Sequence, residues 1–182
     1  MAYQLDPDLE YFLGITLPKP EATELAQLRQ RLENRVNLSS PPHITLKRPF
    51  TYHFAKPLTE QLEKWSRQQV PFTAILKKVG SFSHKKDATV VLLPEKGQPF
   101  RRLEQSLSQT IRFLPDQENF TPHLTIANRI THDQLPQVKQ QIRSLKLEVK
   151  FVIDNLTLFT HHRFQPWEIN AVYRFQQPVT KH

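Results

Sequence analysis

Two stretches of this chain, Pro42-His43-Ile44-Thr45-Leu46 and Pro122-His123-Leu124-Thr125-Ile126, repeat nearly the same five residues eighty positions apart. Side chains of an extended strand alternate between its faces, so a spacing of two puts His43 beside Thr45 and His123 beside Thr125. Ile44, Leu46, Leu124 and Ile126 then point into a core. A single His-x-Thr is more often a hydrogen-bonded structural pair than a site. Its return after a second proline is hard to explain by packing alone. Two imidazoles sharing a site can do acid–base chemistry near neutral pH, one taking a proton from a nucleophile while the other protonates a leaving oxygen. The threonine hydroxyls can hold the non-bridging oxygens of a phosphate as its charge develops. Phosphate fits better than an acyl group, because no serine stands in the elbow context of acyl transfer and the chain has no cysteine.

Other residues that could do chemistry fit a blander account. His161-His162 resembles a metal pair, but neighbouring strand residues face opposite sides and no carboxylate cluster accompanies them. His84-Lys85-Lys86 sits in a polar turn and reads as solvated. His53, His132 and His182 show no partner pattern. Phe82 could stack on a base, although a core phenylalanine explains it more simply. Gly14, Gly80 and Gly97 are the only glycines and form neither a P-loop nor a dinucleotide fingerprint. No metal and no cofactor is therefore expected.

The elements that must position the paired motifs can be read from periodicity. A strand runs from Leu9 to Leu17 and closes at Pro18 and Pro20. A helix from Glu21 to Val36 carries Leu25, Leu28, Leu32 and Val36 at helical spacing. The first motif strand, His43 to Phe50, follows the break at Ser39-Ser40-Pro41-Pro42. A helix is expected from Pro57 to Gln69 and a strand from Phe72 to Phe82. The order then recurs: strand Ala88 to Leu93, helix Pro99 to Phe113, second motif strand His123 to Ile130, helix Asp133 to Leu145, and one long strand from Leu147 to Thr160. A last strand, Trp167 to Phe175, follows a turn at Arg163 to Pro166. This self-similarity points to an internal duplication with approximate halves 9–83 and 88–176. The expected fold is α+β, a single bilobal domain of two small sheets with helices on their outer faces and a central cleft.

Composition sets the frame. The chain has 182 residues, long enough for a substantial core, and 38% hydrophobic content with mixed charge is ordinary for a globular protein. No apolar run approaches a membrane span, and Met1 to Asp8 lacks the pattern of a secretion signal. These features, with the absence of cysteine, lead us to expect a cytoplasmic protein. A net charge of +8 and a pI near 9.8 favour polyanionic partners such as nucleic acid, or serve solubility alone.

The paired Pro-His-Ile-Thr-Leu and Thr-Pro-His-Leu-Thr-Ile motifs resemble those of the two-histidine (2H) phosphoesterase superfamily, in particular its 2′,5′-RNA ligase and cyclic phosphodiesterase branch. Val79-Gly80-Ser81-Phe82, Leu156-Thr157-Leu158-Phe159 and Trp167-Glu168 add to the similarity, which spans most of the chain. The resemblance implies a bilobal α+β fold and metal-independent opening of 2′,3′-cyclic phosphates to 2′-phosphates, with reversible 2′,5′ ligation of RNA ends in some members. By position it makes His43 and His123 the acid–base pair, His43 as acid and His123 as base during hydrolysis, and Thr45 and Thr125 the phosphate clamps. Several relatives carry an arginine soon after the second motif. Strand parity selects Arg129, which shares a face with His123 and Thr125, and by the same rule Lys47, with Arg48 pointing away. Lys47 and Arg129 are the substrate-binding candidates. The expected partners are RNA ends or cyclic nucleotides as substrates, with no membrane, no obligate protein partner, and a monomeric state. The rivals are a non-catalytic RNA-end-binding module, a phosphodiesterase acting on a small metabolite such as ADP-ribose cyclic phosphate, and a metal-dependent hydrolase that chelator would silence.

Overall fold

Apolar residues at helical and strand spacing set the elements of this chain, and a computed structural model describes residues 9–33, 40–52, 58–115, 117, 119–162 and 165–176. In chain order they are β1 (Glu10–Thr16), α1 (Lys19–Glu33), β2 (His43–Thr51), α2 (Leu58–Ser66), β3 (Phe72–Ser83), β4 (Ala88–Pro94), α3 (Gln98–Thr110), β5 (Leu124–Ile130), α4 (Leu135–Ser144), β6 (Val149–Ile153), β7 (Asn155–His161) and β8 (Glu168–Arg174). The α+β class and the element order are as expected. Pro99 enters α3 near its first turn, where a missing N–H costs nothing, and Phe100, Leu103 and Leu107 then share its buried face. The expected start of the second helix at Pro57, the end of the first at Val36, the first residues of the turn from Arg163, and His53 and His182 lie outside the described residues.

Two expectations are corrected by the strand pairing. The sheets are not separate: the strands form one antiparallel sheet in the order β6-β3-β4-β5-β2-β1-β7-β8. Its two four-stranded halves meet at the motif strands, where Ile44 pairs with Leu124. The long strand expected from Leu147 to Thr160 is two strands. β6 pairs with β3 at one edge, whereas β7 pairs with β1 in the opposite half. Asp154 makes the crossing, and its carboxylate accepts from Asn155 Nδ2 (3.1 Å) and from Arg174 Nη1 (2.9 Å). The sheet must therefore bend until its two ends approach. Periodicity marks the break, as the alternation changes phase between Ile153 and Leu156, but it could not show that the two strands go to opposite halves. The sequence repeats at 9–83 and 88–176 are not the sheet halves either, since the first repeat gives β3 to the other half and the second gives β7 and β8.

All four described helices contribute to one hydrophobic cluster with the strands, so they cover the same face of the sheet. Leu25 and Leu28 of α1, Leu58, Leu62 and Trp65 of α2, Phe100, Leu103 and Leu107 of α3, and Ile142 of α4 all belong to it. Burying a side chain such as Leu58 or Leu62 contributes roughly 1.5–3 kcal/mol. The helices also brace the narrow join: α1, from one half, packs on β5 of the other, while α3 packs on β2. The second face carries none of the described helices and holds both His-x-Thr pairs. Among the described residues no helix is long and apolar enough to cross a membrane.

Candidate active site

Ile44 and Leu124 pair across the join with both side chains in the core, which turns His43, Thr45, His123 and Thr125 to the open face together. Antiparallel pairing through that residue brings His43 alongside Thr125 and Thr45 alongside His123. The two histidines are then diagonal neighbours, a relation that separates residues by about 7–8 Å, enough for a phosphorus between them. Each ring is held from behind in the same way. His43 Nδ1–H donates to the Pro41 carbonyl (2.8 Å), and His123 Nδ1–H donates to the Thr121 carbonyl (2.7 Å). A carbonyl only accepts, so Nδ1 carries the proton and Nε2 is left for chemistry. In both copies the carbonyl belongs to the residue two before the histidine. The intervening Pro42 or Pro122 has a fixed φ and keeps its predecessor extended, which is the physical reason the proline recurs. Thr45 Oγ1 lies 3.1 Å from His43 Nε2 and donates to its lone pair.

Gly14 makes room for the first ring. It stands opposite Thr45, and a Cβ there would come within 3.0 Å of the Ile44 carbonyl and 3.3 Å of His43 Cδ2. Aromatic residues wall the ring further: Phe12 centres 4.7 Å from His43, and Phe159, stacked on Phe12 at 4.2 Å, lies 5.2 Å from it. Among the described residues His123 has one such partner, Phe82, edge-on at 4.8 Å. Phe82 is half-buried and stands outside the hydrophobic cluster, so it supports an imidazole and is not a core residue.

Burial lowers the pKa of both imidazoles. For His43 it prevails over the bond to the Pro41 carbonyl, and the positive charge of Arg29 and the proximity of His123 add to it, giving a value of about 4. His123 is shifted down by burial against the opposing effect of the Thr121 carbonyl. Both rings are therefore neutral in the free protein at pH 7. In a profile of kcat/KM, which reports the free enzyme, the rate rises as the base loses its proton and falls as the acid loses its own. With both groups below the ordinary 6.5, we expect a bell whose acidic limb lies near pH 4 and whose apex lies below 6.5. A profile with its apex above pH 7 would contradict the burial. The sign for stability follows: the unfolded chain takes up this proton near 6.5 and the native chain only near 4, so stability falls as pH drops through that window. His43→Gln should flatten that part of a melting-temperature curve.

Lys47 is not where strand parity put it. Thr45 pairs with Gly14 but Lys47 with Leu13, so β2 carries an extra residue, Leu46, and a bulge turns Leu46 and Lys47 to the same side. Lys47 is fully buried on the helix face, with Nζ 2.5 Å from Glu104 Oε1, 3.1 Å from the Pro115 carbonyl, and also bonded to Ser108 Oγ. The bulged carbonyl of Leu46 accepts from Gln117 Nε2 at 2.8 Å. Lys47 is a structural residue here and does not reach substrate.

The same irregularity occurs in the second motif. Thr125 pairs with Val91 and Ala127 with Val90, leaving Ile126 as the extra residue, and a further shift follows in each strand before Phe50 and Ile130. Residues 48–49 and 128–129 consequently stand opposite Phe12 and Thr89, on the face of the histidines. Arg129 reaches that face through a left-handed backbone (φ 54°) and is exposed. Arg48, expected to point away, comes to the same side. Asn128, which sequence reading passed over, accepts from Thr89 Oγ1 (2.7 Å), and that hydroxyl lies 3.3 Å from His84 Nε2. One signal could have revealed the bulge: Ala127 beside Ile126 breaks apolar alternation, and the copy at Leu46-Lys47 inherits the break.

Of the adjacent His161 and His162, His161 stacks on Trp167 at 4.9 Å. Among the described residues no three His, Cys, Asp or Glu side chains gather as a metal site would need.

A protein of Oceanobacillus iheyensis whose name provisionally places it among phosphoesterases is 25% identical over 168 residues, 91% of this chain and 97% of that one. A similarly named protein of Bacillus cytotoxicus is 25% identical over 148 residues, 80% of this chain and 85% of its own. The fold matches Escherichia coli LigT, crystallised with 3′-AMP, at a TM-score of 0.60 and 16% identity over 94% of this chain and 100% of LigT. It matches TT0787 of Thermus thermophilus equally, at 0.60 and 16% over 93% and 99% of the two chains. The sequence profile of the 2′-5′ RNA ligase superfamily matches residues 17–164, most of the chain, and the protein belongs to that superfamily.

Proposed function

We propose that this phosphoesterase opens 2′,3′-cyclic phosphates of RNA ends or nucleotides to 2′-phosphates, with His43 and His123 as its acid–base pair and without a metal ion. The observation that carries the proposal is the pair of imidazoles on one open face, each fixed through Nδ1 by the carbonyl two residues before it and each offering Nε2. In hydrolysis His123 takes a proton from water, whose oxygen attacks phosphorus. The bond from phosphorus to O3′ breaks, and His43 delivers a proton to O3′, leaving a 2′-monoester and a free 3′-hydroxyl. Thr45 and Thr125 hold the non-bridging oxygens as charge builds on them. His43 is neutral in the free protein, so its role as acid requires the anionic phosphate to raise its pKa on binding. A 5′-hydroxyl in place of water gives the 2′,5′ linkage by the same steps, which run backwards as readily.

LigT, which shares the fold, has been crystallised with 3′-AMP, NADP+ and phosphate, and nucleotide phosphates are the substrates we assign here. Arg48 and Arg129 at the rim are placed to meet phosphates upstream of the cyclic end, a role that Lys47 cannot fill.

The test is a panel of 2′,3′-cyclic nucleotides, cyclic-ended oligonucleotides and ADP-ribose cyclic phosphate, with products resolved as 2′ or 3′ monoesters. We expect 2′ products, full activity in EDTA, and a preference for oligonucleotides that shrinks with added salt as phosphate contacts are screened. Binding without turnover would leave an RNA-end-binding module. Loss in EDTA restored by a divalent ion would refute the metal-free mechanism, and equal, salt-independent kcat/KM for long and short substrates would point to a small metabolite.

A further inference from the structure

The catalytic dipeptides repeat, but the walls beside them do not. By strand register Phe12 on β1 corresponds to Thr89 on β4, since Phe12 pairs with Phe159 where Thr89 pairs with Phe82. The His123 side is thus polar, with Thr89 bonded to Asn128 and His84 within reach. The His43 side is aromatic. Phe12 carries the imidazole of His43 on one flank and meets Trp167 edge-on at 4.7 Å on another, and Trp167 is stacked in turn on His161. Phe12 and Phe159 are buried, 4% and 0% exposed, and have no surface to give a ligand. Trp167 is half-exposed and His161 likewise, so they form the accessible end of an aromatic row that begins at a catalytic ring.

We propose that Trp167, backed by Phe12 and His161, is the nucleobase subsite, onto which the base of the nucleotide bearing the cyclic phosphate stacks. This rests on the cyclic phosphodiesterase reading and adds the part of the substrate that the His-x-Thr pairs do not touch. A cyclic phosphate end is itself asymmetric: one ribose with its base lies on one side of phosphorus, and the attacking water approaches from the other. A pseudo-symmetric catalytic centre needs unlike walls to bind it in one sense. The aromatic wall suits a π face, and the hydroxyl and amide wall suits water and phosphate oxygens. Stacking accepts every base, so the subsite favours nucleotides over baseless cyclic phosphates without strong selection among the four, and purines gain most from their larger face.

The experiment compares 2′,3′-cyclic AMP and 2′,3′-cyclic UMP with glycerol 1,2-cyclic phosphate, a five-membered cyclic phosphate that has no base, on the full chain and on Trp167→Ala and Trp167→Phe. We expect Trp167→Ala to lower kcat/KM for the nucleotides by roughly 10- to 100-fold through KM, more for AMP than for UMP, and to leave the baseless substrate unchanged. Trp167→Phe should recover most of the loss. Fluorescence gives a reading independent of turnover, because the chain has two tryptophans and the other, Trp65, is 1% exposed. Binding of 2′-AMP should quench the emission of the unaltered chain and leave that of Trp167→Phe, which reports Trp65 alone, unchanged. Equal losses on all three substrates would make Trp167 a structural residue and overturn the proposal, as would turnover of nucleotides with no quenching. If no cyclic phosphate is turned over, the reaction assigned above fails, and quenching by 2′-AMP then decides the subsite alone: its presence upholds it and its absence overturns it.

Discussion

His43→Ala and His123→Ala each lose roughly 10²- to 10⁴-fold in turnover of a 2′,3′-cyclic phosphate, the usual contribution of a positioned acid or base. The chain should still fold. Both rings are half-buried on the open face, and neither belongs to the cluster that joins sheet and helices. His43 touches Phe12 and Phe159 and fills the space above Gly14, whereas among the described residues His123 has one aromatic neighbour, Phe82, so His43→Ala should lower the melting temperature more. The two losses in rate should not multiply. With one proton transfer gone, the concerted displacement is already lost, and removing the second partner adds little, as happens when residues act as a unit. Rates are to be compared at the apex of each variant's own pH profile, and a one-sided profile in a single variant would identify the remaining group as acid or base. A single variant that turns over at close to the original rate would show its imidazole to be structural and would remove the paired mechanism.

The placing of the two His-x-Thr pairs on one face was legible in the sequence because its information is local. A spacing of two in a strand fixes the shared face of His43 and Thr45, a proline between the accepting carbonyl and the histidine fixes the ring, and the second copy repeats both. Helix positions were equally plain from the spacing of Leu25 and Leu28, or of Phe100, Leu103 and Leu107. What parity could not carry is anything beyond a bulge. The extra residues at Leu46 and Ile126 reverse the facing until a second shift restores it before Phe50 and Ile130, which moved Lys47 into the core and brought Arg48 and Asn128 to the open face. The crossing at Asp154 was hidden for a related reason. Val149, Phe151 and Ile153 alternate up to it, and Leu156 and Leu158 alternate after it in the opposite phase, which marks a break but does not show that the strands pair with different neighbours. The aromatic support of His43 depends on β7 joining β1, a long-range pairing with no local signature.

The buried lysine leads to the other large effect. Lys47→Ala should destabilise the fold by about 3–5 kcal/mol, because it leaves the Glu104 carboxylate buried opposite an empty space. That is a large share of the roughly 5–15 kcal/mol that holds a domain of ordinary stability together. The ammonium has three protons, and the Glu104 carboxylate, the Ser108 hydroxyl and the Pro115 carbonyl accept them, so no water is needed to satisfy it. The ion pair itself is a weak source of net stability, since desolvating two charges offsets most of their attraction. A double variant, Lys47→Met with Glu104→Leu, should therefore recover most of what Lys47→Ala loses, as packing replaces the pair and Ser108 keeps its bond to the Glu104 carbonyl (3.0 Å). Urea unfolding of the unaltered chain and of these two variants measures both steps. The double variant should also keep an unaltered KM for cyclic-ended RNA, whereas Arg129→Ala, at the open rim, should raise it with little change in stability. A Lys47→Ala protein as stable as the original, with a raised KM for oligonucleotides, would mean that the lysine meets substrate and that the bulge after the first motif does not hold in solution. The recovery should appear as a higher urea midpoint at an unchanged slope, because the slope follows the surface exposed on unfolding and the exchange adds little to it.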